Sequence, residues 1–242
     1  MKIAVVSDIH ANYHALAAVL LAIDAEEPDE IWCLGDIVGY GPEPNRCCAV
    51  IAARTSLCLA GNHDLAVTDA ISADYFNGDA GAAVTWTRSV IDEDSLAFLS
   101  SLMPLARRPG VALFHASALD PIWDYVLSLE GARLSLEAVS EPLVLVGHSH
   151  VALRLSYDGV RVDGGLAELG DELDLASARW LLNPGSVGQP RGGDPRASWL
   201  LLDLDTGRAT FRRTEYPIAL TQAAIRATGL PETLAARLAL GQ

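Results

Sequence analysis

Read from its N-terminus, the chain alternates short apolar runs with longer segments of helical spacing. Residues 3–6 form an unbroken apolar run, 13–25 an Ala/Leu-rich helical stretch, and 30–34 a second run. A second helical segment, 44–53, opens on a proline, and 56–60 is a third run. Runs without in-and-out alternation suit strands covered on both faces, so this order predicts βαβ units around a parallel sheet. Helical spacing returns over 78–101, broken near Ile91-Asp92, and 111–114 and 143–146 read as further buried strands.

Beyond Ser149 the pattern changes. "VALRLSYDGVRV" is two alternating runs around Asp158-Gly159, and "SWLLLDLDTGRATFRR" repeats this around Thr206-Gly207. Both predict β-hairpins. Helical spacing resumes from about Ile218, and Pro231 opens a last amphipathic segment. No Pro/Ser-rich linker, charge run or internal repeat divides the sequence. One α/β domain over residues 1–242 is expected, with a mostly parallel part followed by a hairpin-rich part.

Composition narrows the class. Half of the 242 residues are hydrophobic and a fifth are charged, as in a globular chain. No apolar stretch approaches the ~20 residues of a membrane span. The chain opens directly on a strand without signal-peptide features, so a cytoplasmic location is expected. The net charge is −14, with Lys2 the only lysine, and no positive cluster is present for duplex nucleic acid. The acidity suits surface solubility, and equally carboxylates that attract divalent cations. The four cysteines form no CxxC pair; Cys33 and Cys58 lie in strand-like runs and read as reduced core residues.

The chemistry shows in the histidines. Five of six fall in polar segments that end predicted strands: Asp8-Ile9-His10, Gly61-Asn62-His63-Asp64, His115 and Gly147-His148-Ser149-His150. Gly35-Asp36 ends another. The carboxyl ends of parallel strands form one rim, where ligand sites collect. In Asp8-x-His10 and His148-x-His150, residues two apart on an extended strand end project to the same side and can reach one ion. Asp36 can bridge two ions, and Asn62 and His115 offer an amide oxygen and another imidazole. Nitrogen and oxygen donors without thiolate suit Mn, Fe, Zn, Co or Ni. Singly, each segment is also explained as a cap, a turn or a core histidine; the joint occurrence favours a metal site.

These residues, in this order, resemble the calcineurin-like metallophosphoesterases, whose pattern runs D-x-H, G-D, G-N-H-[DE], a lone His, and G-H-x-H. "GDIVGYGPEPNRC" and "NPGSVGQPRGGDPRAS" are similar to a small single-domain bacterial and archaeal subgroup. The resemblance implies an α/β fold, a four-layer α-β-β-α sandwich of two mixed β-sheets flanked by helices. It implies two divalent ions, manganese expected ahead of iron, zinc, nickel or cobalt. Asp8, His10 and His150 would hold the first, Asn62, His115 and His148 the second, and Asp36 would bridge both. Paired ions acidify a shared water and neutralise phosphoryl charge, so hydrolysis of a phosphate mono- or diester follows.

Within that reading His63 is the general acid or leaving-group stabiliser. Asp64 would orient it through the other ring nitrogen, or else cap a helix. Asn12 would touch substrate or cap the first helix. Arg191 would clamp a phosphate bidentately or form a surface salt bridge. His14 reads as an exposed helical residue. Trp123 and Tyr125 could stack on a nucleobase, although ordinary packing is the favoured reading. The expected partner is a small phosphate ester or nucleotide, with no membrane. The hairpins and C-terminal helix suit either a homodimer surface or core. A non-catalytic scaffold on the same fold is the alternative, against which the complete ligand set argues. No G-x-S-x-G elbow supports a serine hydrolase. Ala11 stands where most relatives carry glycine, and its Cβ is expected to crowd the rim and alter substrate clearance.

Overall fold

The strands predicted as doubly covered are so in the computed structural model, which describes residues 1–76 and 78–242. The chain runs β1 (Lys2–Val6), α1 (Tyr13–Glu26), β2 (Glu30–Cys33), α2 (Pro44–Arg54), β3 (Leu57–Cys58) and α3 (Asn62–Val67). It continues through α4 (Gly78–Val90), α5 (Glu93–Ser100), β4 (Leu105–Arg108), β5 (Val111–Phe114) and α6 (Leu129–Glu137). Then come β6 (Leu143–Leu145), β7 (Ala152–Tyr157), β8 (Val162–Leu166), β9 (Glu172–Asp174) and β10 (Arg179–Pro184). The hairpin β11 (Ala197–Asp203) and β12 (Arg208–Thr214) leads to α7 (Ile218–Thr228) and α8 (Glu232–Ala236). The break expected near residue 91 is a helix boundary, where Asp92 caps α5 by accepting from the Ser95 amide at 2.8 Å.

Two mixed six-stranded sheets result, ordered β3-β2-β1-β11-β12-β9 and β4-β5-β6-β10-β7-β8. Strands β1, β2 and β3 are parallel in the first, and β5, β6 and β10 in the second. The mostly parallel part and the later hairpin-rich part are both present along the chain and are interleaved in space. Hairpin β11–β12 joins β1 antiparallel, whereas β7–β8 joins β10, so each sheet combines both kinds of pairing.

Side-chain alternation explains the four layers. Ile3 and Val5 of β1 face the second sheet and pack with Leu113, Leu145 and Leu182. Ala4 and Val6 face outward, onto Leu16, Val19 and Ile23 of α1 and Ile51 of α2. On the far side Ala112, Val144 and Leu181 turn away from the first sheet onto Ala132 and Leu136 of α6. Every strand at the centre thus buries both of its faces, which is why no alternation was visible in its sequence. The four cysteines are free thiols, with Cys33 buried and Cys58 partly so. Among the described residues no helix is long and apolar enough to cross a membrane.

Candidate metal centre

The two sets of parallel strands deliver their carboxyl ends to one rim. Asp8 follows β1, Asp36 follows β2, and Asn62 follows β3; His115 follows β5, and His148 and His150 follow β6. Backbone hydrogen bonds tie the loops together across the sheets. The Asp8 amide donates to Gly35 O at 2.9 Å, and the Gly188 amide after β10 donates to Asp8 O at 2.9 Å. His10 N to Asp36 O (2.9 Å) and Gly147 N to His115 O (2.8 Å) complete the mesh.

The backbone at the rim is strained. Asp8, His10, Asp36, His148 and His150 all hold positive φ, between 48° and 62°. A left-handed conformation costs an L-residue roughly 1–2 kcal/mol. Its recurrence at five of the seven predicted ligands marks a place where side-chain direction outweighs backbone comfort.

The carboxylates are each anchored by one oxygen and present the other. Asp8 Oδ2 accepts from the His148 amide at 3.2 Å, while Oδ1 lies 3.5 Å from His150 Nε2 and 3.9 Å from His10 Nε2. Asp36 Oδ1 accepts from the His63 amide at 2.9 Å. Its Oδ2 stands between two imidazoles, 3.6 Å from His10 Nε2 and 3.5 Å from His115 Nε2. Asn62 Oδ1 lies 3.3 Å from His115 Nε2. Donor atoms of Asp8, His10, Asp36 and His150 fall within 4.8 Å of one another, as do those of Asp36, His115 and His148. Asp36 belongs to both sets.

The histidine tautomers follow from their outer partners. His10 Nδ1 is 3.1 Å from Val38 O, His115 Nδ1 2.8 Å from Leu34 O, and His150 Nδ1 2.8 Å from Gln189 O. A carbonyl only accepts, so each Nδ1 carries a proton, and on His10 and His150 Nε2 directs a lone pair inward. Two such lone pairs, on His10 and His150, meet at 2.9 Å. Among the described residues Asp8 Oδ1 and His148 Nε2 are buried without a hydrogen-bond partner. Converging lone pairs and orphaned acceptors are unfavourable alone and are relieved by cations, so the donor set fits metal ions.

The electrostatics agree. Burial lowers the pKa of His10 and His150 well below normal and brings His148 to about 3, leaving these rings neutral and able to ligate. Burial pushes the Asp8 carboxyl up to about 7. Burial opposes ionisation of Asp36 too, but His115 and the other imidazoles outweigh it and hold this carboxyl well below its usual range. Burial likewise opposes a charge on His115, yet Asp36 raises its pKa to about 9. A proton shared there occupies the place a cation would take.

The remaining predicted residues divide. His63 lines the cleft above the cluster, its ring 4.5 Å from Tyr40, 4.9 Å from Phe76 and 5.0 Å from His10 between centroids. Burial lowers its pKa to about 4. Asp64 does not orient it: His63 Nδ1 has no hydrogen-bond partner among the described residues. The Asp64 carboxylate instead accepts from the amides of Ile37 (3.0 Å), Val38 (3.1 Å) and Gly61 (2.9 Å). At the third position of α3 it points back to the helix start, the direction a capping acid takes. Asn12 also takes its capping alternative. Its Oδ1 accepts from the Ala15 amide (3.2 Å) and the Thr221 hydroxyl (2.9 Å), and its Nδ2 donates to Gly188 O (2.8 Å), so the amide is used within the protein. Ala11 is corrected as well. It is left-handed, φ 50°, but fully buried, and its methyl does not line the cleft. His14 is partly exposed, 3.2 Å from Thr221 Oγ1.

Arg191 does reach the cleft, one guanidinium nitrogen donating to Gln189 Oε1 at 3.0 Å. Trp123 and Tyr125 line it too: Trp123 is half-buried and packs on Phe76 and Tyr75, as the packing reading has it, whereas Tyr125 is 50% exposed and stacks on His148 at 4.0 Å and 29°. The cleft measures about 150 Å³. Sequence reasoning missed Tyr40, Tyr75 and Phe76 on its walls. Tyr40 lies four residues beyond Asp36 in a motif already singled out, and that proximity was the available signal.

Comparison with known proteins follows the same line. A family model for the calcineurin-like phosphoesterase superfamily domain matches residues 1–207. An uncharacterized protein of Methanocaldococcus jannaschii is 38% identical over 252 residues, spanning 99% of this chain and 98% of that protein. A metallophosphoesterase structure from Sphaerobacter thermophilus is 41% identical with a TM-score of 0.91, covering 100% of this chain and 99% of that one. A hypothetical protein from Pyrococcus horikoshii, 19% identical, shares the fold with a TM-score of 0.81 over 100% and 98% of the two chains.

Proposed function

The chain belongs to the calcineurin-like phosphoesterase superfamily, and on that premise we propose that it is a dinuclear metal-dependent hydrolase of small phosphate mono- or diesters, nucleotides among them. The observation that carries this reading is the pair of donor clusters sharing Asp36. Asp8, His10 and His150 would hold one ion, Asn62, His115 and His148 the other, with Asp36 available to both. When bound, such a pair supplies a water of near-neutral pKa and offsets charge developing on the phosphoryl oxygens.

The chain's own groups do the rest. The carbonyls of Val38, Leu34 and Gln189 fix three imidazoles so that their lone pairs converge. His63, on the cleft wall, donates a proton or hydrogen bond to the departing oxygen. Arg191, steadied by Gln189, offers its remaining N–H groups to phosphoryl oxygens. Tyr40 packs on His63 and keeps water from one of its faces. Manganese is the metal we expect, and the cytoplasm the compartment.

Metal analysis coupled to an ester panel tests the proposal. Mono- and diesters, nucleotides and dinucleoside polyphosphates would be assayed with Mn, Ni, Co and Zn. Two ions per chain and turnover of at least one ester class are expected. Asp36→Asn should abolish turnover and reduce the metal content from two ions toward one. Two tightly bound ions in that variant would remove the bridging role. No turnover of any ester by the doubly loaded wild type would favour a non-catalytic scaffold.

A further inference from the structure

The cleft walls are rich in aromatic rings, and one set of them leads away from His63. From His63 outward an aromatic series runs without a gap. Phe76 lies 4.9 Å from His63 at 66°, Trp123 lies 5.4 Å from Phe76 at 58°, and Tyr75 lies 5.5 Å from Trp123 at 61°. Its outermost member, Tyr75, is 69% exposed. Among the described residues Arg191 is the one cationic side chain lining the cleft. Arg191 supplies positive charge to the cleft, and the rings of Phe76, Trp123 and Tyr75 supply a flat, apolar surface beside His63.

We propose that Phe76, Trp123 and Tyr75 form a specificity subsite for a planar aromatic leaving group, aryl or nucleoside. The inference rests on the phosphoesterase reading, because it takes His63 to stand at the departing oxygen. The group attached to that oxygen then lies along the aromatic series. Edge-to-face ring contacts within the series leave faces open to a further ring. A cleft of about 150 Å³ is below the ~300–1,000 Å³ of drug-sized pockets and has room for about one ring system within its walls. Tyr75 explains itself on this view: a large aromatic left in water at a cleft mouth gains a partner when the ring binds.

Benzyl phosphate and cyclohexylmethyl phosphate provide the test, each as monoester and as methyl diester. Their leaving alcohols are of similar size and both are primary, but only one carries a π-face. Wild type should prefer the benzyl ester by about ten-fold in kcat/KM, mostly through KM, since stacking serves ground and transition states alike. Trp123→Leu should remove most of that factor and leave the cyclohexylmethyl ester within about two-fold; Trp123→Phe should restore the preference. Tyr75→Ala, at an exposed position, should weaken the benzyl ester more than the cyclohexylmethyl ester. A nucleoside 5′-monophosphate distinguishes the sources: a larger loss for it than for benzyl phosphate in Trp123→Leu assigns a nucleoside, and the reverse assigns an aryl group. Equal losses on both esters, or no preference in wild type, would overturn the subsite. Quenching of tryptophan fluorescence separates the two proposals. If wild type cleaves no ester, yet benzyl and not cyclohexylmethyl phosphate quenches wild type and fails to quench Trp123→Phe, the hydrolase reading and the leaving-group role fall, and the three rings stand as a binding site for a planar ring. Absence of quenching with absence of preference removes the subsite.

Discussion

Replacing Asp64 by asparagine tests whether this acid serves His63 or the fold. The carboxylate is fully buried and accepts three backbone amides. Oδ1 takes Ile37 N at 3.0 Å and Val38 N at 3.1 Å, and Oδ2 takes Gly61 N at 2.9 Å. Asparagine keeps one oxygen, which can retain the first two donors. Its NH2 then meets the Gly61 N–H, donor against donor. An orphaned buried N–H costs about 1–3 kcal/mol, and two bonds lose charge assistance worth about 0.5–1 kcal/mol each. Asparagine has no charge to desolvate, which offsets part of this, so a loss of about 2–4 kcal/mol is expected. For a chain of this size that lowers Tm by roughly 5–15 °C. The amides of Ile37 and Val38 belong to the loop whose Val38 carbonyl holds His10, so metal affinity should weaken as well. The assay is thermal unfolding with and without metal, together with the pH–rate profile at saturating metal. A Tm within 2 °C of wild type would refute the argument. So would a displaced limb of the pH–rate profile at unchanged Tm, the signature of an acid acting through His63.

Three further outcomes follow from the geometry. His63→Ala should retain both ions and lose rate by about 10²–10⁴, as removal of a general acid does; loss of the ions on metal analysis would make His63 a ligand instead. In the metal-free protein His115 has its pKa raised to about 9, so its contribution to stability is complete below its ordinary value and disappears as pH rises through about 9. Asp8, pushed up to about 7, acts in the same direction at lower pH. Tm of the metal-free protein should therefore fall from about pH 6.5 to 9, and a flat curve would discredit the His115–Asp36 pair as drawn. Ala11→Gly should change stability by no more than about 1 kcal/mol, since relief of a left-handed alanine is offset by a lost buried methyl and a more flexible unfolded chain. Relative KM values across the ester panel should stay fixed; a shift in substrate preference would return Ala11 to the rim.

By itself the sequence determined the elements that local patterning governs. The doubly apolar runs became β1, β2, β5 and β6, the Asp-Gly and Thr-Gly turns became hairpins, and Pro44 opened α2. It also determined that Asp8, Asp36, Asn62, His115, His148 and His150 would share one rim, because a polar stop after a buried parallel strand can go nowhere else. Strand β10 was not legible: its apolar residues are few and lie between turn-rich segments, and only pairing with β6 and β7 on either side makes them a central strand. Nor was it legible which sheet each hairpin would join, since strand periodicity specifies a face and not a neighbour. The site divides in the same way. Residue types and spacing named the donors that converge at the rim, but Asp64 turned to the amides of another loop and of its own helix start rather than to its neighbour His63. Phe76 reached that histidine, and Tyr75 reached Trp123, from a segment whose own sequence carries no sign of it. Neighbours along the chain fix periodicity and caps; contacts between distant segments depend on how the buried faces close over one another, and that was decided only in three dimensions.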